Sequence, residues 1–260
     1  MRIRMAATLL GMVLMTGPAL ADVTITATQK GKGMMASLMT GEAVTRIKGG
    51  KMRGDGSSGD APTTTLIDLD AQTMAVLDHK VKEATVTDLG ELQASMGKMT
   101  NNNIKATITP TGRRQEVAGR GCDEYQMDMT VPAFADPSSP ITVTTSGPFC
   151  IVKDSPGKAD YAAFYLKAAE KGFIVSGDPR QAKAQPGQAK SMTELYRQMA
   201  RLGVPYLIEM DFKMGGEGPM GALMGKLGFG FTSTVTRVSV EPIPDALMAV
   251  PPDYKLVKRN

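Results

Sequence analysis

The chain has 260 residues, with 30 lysines and arginines against 26 aspartates and glutamates, and a formal net charge of +4. Aromatic residues make up only 5%, tryptophan is absent, and the basic residues are dispersed along the sequence. A nucleic-acid-binding surface combines a basic stripe with stacking aromatics, so this class of partner is not expected. The length is enough for one large domain or two small ones.

The beginning of the chain has the order of an export signal. Two arginines in the first four residues precede an uncharged run over residues 5–15, a Gly-Pro pair follows, and a small-x-small triplet ends at Ala21. This order predicts a signal peptide over residues 1–21, cleaved between Ala21 and Asp22. The apolar run is too short to span a bilayer, and no later run reaches that length. We therefore expect a soluble periplasmic protein with no transmembrane segment in its mature part.

Cys122 and Cys150 are the two cysteines of the sequence, and both follow the predicted cleavage site. Export places them in an oxidising compartment, where a pair of cysteines normally forms a disulfide. The sequence therefore predicts a Cys122–Cys150 disulfide, with two free buried thiols as the alternative.

Strand patterns dominate the predicted mature chain. Residues 23–28 alternate apolar residues with threonine, and residues 206–214 alternate apolar residues with charged ones. Alternation with a period of two is typical of an antiparallel sheet that has one covered face. Further strands are predicted at residues 43–48, 63–69, 73–77, 104–109, 125–131, 141–145 and 232–240.

Helical spacing of apolar residues predicts three helices, over residues 88–99, 160–171 and 191–203. The third begins with Ser191 and Glu194 in the spacing of a capping box. Strands with a few helices predict an α+β fold, mainly antiparallel β.

Two stretches are poor in residues that can be buried, residues 55–62 and residues 176–190, and both are predicted to be mobile loops. We expect one domain over residues 22–257 that contains both.

No catalytic or metal-binding residues are predicted. His79 is the only histidine, it follows a predicted strand, and no nucleophile lies at a fixed spacing from it. A metal site based on several histidines is excluded for the same reason. The carboxylates show no spacing that marks an acid–base pair, so a two-carboxylate glycosidase is neither indicated nor excluded. No cofactor is predicted, and an enzyme ranks third among the expected classes of function.

Residues 216–221 have the Gly-x-Gly-x-x-Gly letters of a dinucleotide-binding turn. That turn requires a full helix directly after it, but glycines at positions 228 and 230 interrupt the following segment. A glycine-rich connection between two antiparallel strands is the preferred interpretation.

Methionine is unusually abundant, with 20 residues in the chain. Most fall on the apolar faces of predicted elements, which indicates flexible core packing rather than a copper(I) site. The glycine-loosened apolar segment after residue 219 is harder to place in a core. The preferred interpretation is a β-hairpin tip packed on the sheet, and the alternative is a segment that contacts lipid or an apolar ligand. Its candidate contact residues are Met220, Leu223, Met224, Leu227, Phe229 and Phe231.

Several short motifs resemble a bacterial secreted family known as domain of unknown function 4412, which is grouped with LolA-like (lipoprotein-carrier-like) folds. The motifs are Lys51–Arg53, Thr65–Leu69, Gly121–Tyr125, Ile243–Pro244 and Val250–Tyr254. The resemblance implies a strongly curved antiparallel sheet, an open half-barrel, wrapped around about three helices with an apolar concavity. It implies no enzymatic activity and supplies no functional residues.

Two functions follow as expectations. The first is a periplasmic module that binds a lipid or another apolar ligand between the sheet and the helices. The second is a structural or protein-interaction component of the cell envelope that holds no ligand.

Overall fold

The structure of the protein is a computed structural model that describes residues 22–33, 36, 39–58, 61–91, 105–132, 141–171, 173, 186–216 and 228–258. Within these ranges, twelve strands form one sheet, and two α-helices and a short 3-10 helix accompany it. The strands are β1 (Val23–Lys32), β2 (Gly41–Lys48), β3 (Lys51–Ser58), β4 (Ala61–Asp68), β5 (Thr73–Asp78), β6 (Glu83–Asp88), β7 (Lys105–Val117), β8 (Arg120–Pro132), β9 (Ile141–Val152), β10 (Val204–Gly216), β11 (Gly228–Ser239) and β12 (Lys255–Lys258). The helices are α1 (Lys158–Glu170), α2 (Pro186–Leu202) and the 3-10 helix Asp245–Met248.

The strand order across the sheet is β12-β6-β5-β4-β3-β2-β1-β11-β10-β9-β8-β7. Strands β1 to β6 form one meander and β7 to β11 form another, and the two meet where β1 pairs antiparallel with β11. Only β12 is parallel to its neighbour in this sheet, β6. The sheet is curved and unclosed, which confirms the predicted α+β fold dominated by antiparallel sheet.

The antiparallel order gives the second meander two ends with different connections. At one end β8 and β10 stop, and β9 and β11 begin. We call this the methionine end, because Met129 and Met214 lie near it. At the opposite end the chain leaves β9 for α1 and returns from α2 into β10. We call this the disulfide end.

Both α-helices pack on one face of the sheet. Tyr161 and Phe164 of α1 share a buried cluster with Val23, Ile47 and Met52 of the first meander. Leu195 and Met199 of α2 share a second cluster with Tyr125, Phe149 and Met210 of the second meander. Each of these large side chains contributes roughly 1.5–3 kcal/mol when it is fully buried. We call this side the helix-bearing face.

The predicted disulfide is present. Cys122 in β8 and Cys150 in β9 are bonded, with their Cα atoms 5.4 Å apart, and both side chains are buried. Cys150 is paired in register with Glu124, so the bond runs diagonally between neighbouring strands. It fixes β8 to β9 at the disulfide end.

The loop predicted at residues 55–62 is wrong for most of its length. Residues 55–58 belong to β3 and residues 61–62 to β4, and the two strands pair up to Ser58 and Ala61. The composition of this stretch resembles a loop, but Asp55 is held by Arg46 and Arg53. These ion pairs and the strand pairing keep the segment in the sheet.

The helix predictions are confirmed in part. Helix α1 matches residues 160–171 closely, whereas α2 starts at Pro186 instead of Ser191. Proline suits the first turn of a helix because its missing N–H would have no intrahelical partner there. Ser191 and Glu194, the capping box expected at the start of this helix, therefore lie inside it. Residues 92–99 of the first predicted helix and residues 176–185 of the second predicted loop lie outside the described residues.

The C-terminal segment covers the other face of the first meander. Val250 and Tyr254 pack against a buried cluster on β4, β5 and β6 that includes Leu66 and Leu77. Strand β12 then pairs with β6. The end of the described chain is thus part of the fold.

Candidate functional site

The methionine end carries an apolar cluster built from strands alone. Met129 and Val143 are buried there, and Ala106, Ile141, Phe212 and Met214 pack against them. No helix residue of the described ranges belongs to this cluster. Phe212 also packs against the cluster that contains Leu195 and Met199 of α2. The apolar cluster at the methionine end therefore lies on the helix-bearing face, next to the part of that face that α2 covers.

Strand register brings this surface together. Val143 is paired with Met214, and Thr145 is paired with Phe212 on one side and Met129 on the other. Alternate residues of a strand point to the same face, so residues two apart on β8, β9 and β10 form one continuous surface. Its members come from three strands that are separate in sequence.

Phe229 and Phe231 extend the surface onto β11, where they stack beside Phe212 of β10. The rings of Phe212 and Phe229 are 5.1 Å apart and nearly parallel, at 9°, and those of Phe212 and Phe231 are 6.2 Å apart at 24°. Separations in this range are typical of favourable aromatic pairs. All three side chains are only partly buried. They form a row of rings beside Met210 and Met214 that retains contact with solvent.

One polar atom is buried within this apolar surface. Thr145 is 3% exposed, and its hydroxyl oxygen has no hydrogen-bond partner among the described residues. Leaving a buried hydroxyl unpaired costs about 1–3 kcal/mol, so such groups are normally satisfied by protein, water or ligand. The hydroxyl lies on strand β9 between its neighbours Met129 and Phe212. The polar group of a bound ligand would find one hydrogen-bond partner there, the Thr145 hydroxyl.

The structure describes two of the six predicted ligand-contact residues. Phe229 and Phe231 lie in β11, opposite Phe212 and Met210, so they join the apolar surface. Met220, Leu223, Met224 and Leu227 lie outside the described residues. These four residues come between β10 and β11 in the chain. The two strands are antiparallel neighbours, which agrees with the preferred interpretation of residues 216–221 as part of a connection between antiparallel strands. Sequence analysis did not single out Thr145, Val143 or Met129.

The only histidine belongs to a separate polar cluster on the opposite face. The Thr64 hydroxyl donates to Asp55 at 2.7 Å and lies 2.9 Å from Nε2 of His79. Nδ1 of His79 lies 2.5 Å from the Tyr254 hydroxyl. Because the single Thr64 proton goes to Asp55, Nε2–H of His79 donates to Thr64, and Nδ1 shares a hydrogen bond with the Tyr254 hydroxyl. Arg53 completes the cluster with bonds to Asp55 and to the carbonyl oxygen of Leu247.

This arrangement resembles a nucleophile–histidine–carboxylate set only in its residue types. The Thr64 side chain is 1% exposed, and its proton points to the carboxylate of Asp55 instead of to the imidazole. A nucleophile needs the opposite arrangement, with its proton taken by the base and its oxygen open to substrate. The cluster instead connects β3, β4 and β5 to the C-terminal segment through Tyr254.

The carboxylate of Asp55 is stabilised in its charged form. Burial alone would raise its pKa, but hydrogen bonds from Arg53 and Thr64 and the charge of Arg46 outweigh burial, and the pKa lies below its usual value. Asp55 is therefore an ion-pair centre for the outer face of the first meander.

A polar pocket of about 460 Å³ lies at the disulfide end, lined in part by Arg114, Arg120 and Lys153. Asp123 forms ion pairs with Arg114 at 2.9 Å and with Lys153 at 2.6 Å. The hydrogen bond from Lys153 is the main reason that the pKa of Asp123 is lowered. Asp154 also lines the pocket, so three basic groups face two carboxylates and the pocket offers little net charge for an anion.

The described residues hold no group of three or more histidine, cysteine, aspartate or glutamate side chains placed to bind a metal ion. No helix in the described part of the chain is both long and apolar enough to cross a membrane.

Comparison with known proteins identifies no family. No family model matches the chain, and no curated protein matches it. Among solved structures, an uncharacterized conserved protein from Thermus thermophilus is similar with a TM-score of 0.38 and 10% identity, over 92% of this chain and 91% of that one. A structure of PNGF-II is similar with a TM-score of 0.35 and 7% identity, over 92% of this chain and 32% of that one. Similarities this low carry no conclusion about function.

Proposed function

We propose that the protein binds a lipid acyl chain, or an apolar ligand of similar shape, at the methionine end of the helix-bearing face. The observation that carries the proposal is the unpaired Thr145 hydroxyl, which is buried in an apolar surface of methionine and stacked phenylalanine side chains. Ligand sites for apolar molecules have this composition, with a mainly apolar lining and a few polar groups that orient the ligand.

The chemistry of the lining suits an acyl chain. Burial of each methylene group contributes about 0.8 kcal/mol, so even a short length of chain gains substantial free energy on this surface. Methionine side chains such as Met129 and Met214 are flexible and adapt to irregular shapes. The Thr145 hydroxyl would donate to, or accept from, the ester or carboxyl end of the ligand, which fixes the direction of the chain.

Export supports the same proposal. The buried Cys122–Cys150 disulfide suits an exported protein, because disulfides persist in oxidising compartments. We propose that the protein acts in the periplasm after removal of residues 1–21, and that its unclosed sheet is the LolA-like half-barrel suggested by the motif resemblance. Membership of the domain of unknown function 4412 family stays a prediction.

Solvent extraction of the protein tests the proposal. The protein would be exported to the periplasm of a bacterial host, purified without detergent and extracted, and the extract analysed by mass spectrometry. We expect acyl lipid in an amount comparable to that of the protein. Absence of extractable lipid, together with no uptake of fatty acid by the purified protein, would favour the structural or protein-interaction role in the envelope.

A further inference from the structure

A second unpaired polar atom lies at the opposite end of the sheet, on α1. Asp160 is in the first turn of this helix and is 7% exposed, and its Oδ1 atom has no hydrogen-bond partner in the described part of the chain. An isolated buried carboxylate is costly, and such groups are normally paired with a cation. No residue of the described ranges forms an ion pair with Asp160. Oδ1 of Asp160 therefore lacks a partner among the residues that the structure describes.

The start of β1 lies next to the N-terminus of α1. Gly157 is the N-cap of α1, and a Cβ atom added to it would lie 2.5 Å from Cγ2 of Val23, which is completely buried. Asp22 immediately precedes Val23, and Asp160 is three residues after Gly157. Asp22 therefore enters the fold beside the first turn of α1, which contains Asp160, and the charge of Asp22 acts on the Asp160 carboxylate.

The neighbouring charges leave this position open for a cation. The Asp22 side chain is directed away to the C-terminal segment, where its Oδ2 accepts a hydrogen bond from the Ile243 backbone N–H at 2.6 Å. Lys48 binds Asp245 at 2.7 Å and lies 3.7 Å from Asp22, so its ammonium is already paired. Burial raises the pKa of Asp160 and the charge of Asp22 raises it further, while a backbone hydrogen bond to the Asp160 carboxylate offsets part of this rise. Neither Asp22 nor Lys48 therefore supplies Asp160 with a free positive charge.

We propose that cleavage between Ala21 and Asp22 creates the missing partner, and that the new α-ammonium group of Asp22 forms an ion pair with the buried Asp160 carboxylate. The inference rests on the predicted cleavage site and is independent of the proposed ligand. In the uncleaved chain the same nitrogen is an uncharged amide and cannot pair. Removal of the signal peptide therefore completes the packing of β1 on α1 and stabilises the mature fold relative to its precursor.

Reactivity of the α-amine tests the proposal on the unaltered mature protein. Protein exported and processed to begin at Asp22, as checked by its intact mass, would be acetylated at pH 7 with limiting reagent. A peptide of residues 22–27 serves as the reference. An ammonium paired with a buried carboxylate keeps its proton, so we expect the amine to react at least about tenfold more slowly than in the peptide, equivalent to one pKa unit. Reaction at the rate of the peptide, or a mature chain that begins elsewhere, would overturn the proposal.

Two variants separate an ion pair from simple burial of the amine. Asp160→Asn removes the carboxylate charge, and we expect the amine to recover most of the reactivity of the peptide. Glu170→Gln, at the exposed end of the same helix, should leave the slow reaction unchanged. An amine that stays equally slow in Asp160→Asn would show that burial alone protects it and would contradict the ion pair.

Stability of an extended chain gives an independent measurement. A two-residue extension before Asp22 replaces the ammonium with an amide, and we expect it to lower the folding equilibrium constant of the wild-type protein about tenfold. The same extension should have little effect in Asp160→Asn. An equal loss in both proteins would mean that the extension acts sterically, and would count against the proposal.

Discussion

Thr145 on β9 lies directly opposite Phe212 on β10, and the hydroxyl of this threonine is buried without a hydrogen-bond partner beside a row of stacked phenylalanine rings. A core strand gains nothing from such a hydroxyl, since valine would fill the same volume without the cost of an unpaired polar atom. The pair therefore marks the methionine end as a surface whose chemistry is not explained by folding alone.

Substitution Thr145→Val should stabilise the ligand-free protein. It removes the unpaired hydroxyl and keeps the shape of the side chain, so we expect the free energy of unfolding to rise by about 1 kcal/mol. Urea unfolding of delipidated protein measures this change. Thr144→Val is the matched control, because Thr144 lies on the other face, where its hydroxyl is 3.5 Å from that of Thr130. If Thr145→Val instead lowers the free energy of unfolding as much as Thr144→Val does, the Thr145 hydroxyl has a hydrogen-bond partner in the folded protein. That result would contradict the prediction.

Substitution Gly157→Ala should destabilise the contact between α1 and β1. Gly157 has φ +69°, and an added Cβ would lie 2.5 Å from Val23. The left-handed conformation alone costs a non-glycine residue about 1–2 kcal/mol, and the close contact adds to this. Thermal unfolding would show the loss.

Gly54 provides the control for this substitution, since an added Cβ there meets no atom within 4 Å. Gly54→Ala should change the free energy of unfolding by less than about 1 kcal/mol. Equal effects of the two substitutions would contradict the described packing of Val23 against the start of α1.

The Cys122–Cys150 disulfide should contribute strongly to stability. The two cysteines are 28 residues apart, and closing a loop of this length stabilises the fold by about 3–4 kcal/mol on the chain-entropy model. The double variant Cys122→Ala, Cys150→Ala should lose stability of this order in urea unfolding. Native protein should show no alkylatable thiol, and two after unfolding with a reductant. Thiols that react before reduction would contradict the bond.

Acid should weaken the cluster around Asp55. The folded-state pKa of Asp55 is lowered, so its charged form contributes stability above the unfolded-state pKa of about 4, and this contribution is lost as the pH falls below that value. Asp55→Asn should therefore be less stable than wild type at pH 7, with a difference that shrinks below about pH 4. Melting temperatures between pH 3 and pH 7 measure it. Asp128→Asn, an exposed carboxylate, is the control. A difference independent of pH would contradict the role of the Asp55 charge.

Local patterns in the sequence predicted much of this fold. The alternation over residues 206–214 correctly assigns β10 and the face that Met210 and Phe212 share, because side-chain direction in a strand depends only on a period of two. The disulfide could be predicted equally well, since two cysteines in a chain with a predicted export signal leave one pairing. Helix α1 follows from the spacing of its buried residues Tyr161, Phe164 and Ala168.

The candidate site could not be predicted in the same way. Thr145 and Phe212 are far apart in the chain, and their pairing depends on the order of β8, β9 and β10 in the whole sheet. One of the two hydrogen-bond partners of His79, Tyr254, is 175 residues away in the chain. Composition also misled at residues 55–58, where glycine, serine and aspartate suggest a loop, but ion pairs from a neighbouring strand hold Asp55 in β3.

Binding of a fluorescent fatty acid to delipidated protein tests the proposed lipid site most directly. We expect saturable binding to the wild type, and an affinity about tenfold lower in Phe229→Ser, because removal of one aromatic contact costs about 1.4 kcal/mol. Leu256→Ser, at an exposed apolar position on β12, should bind like the wild type. No saturable binding to the wild type, or equal losses in both variants, would contradict a lipid site at the methionine end.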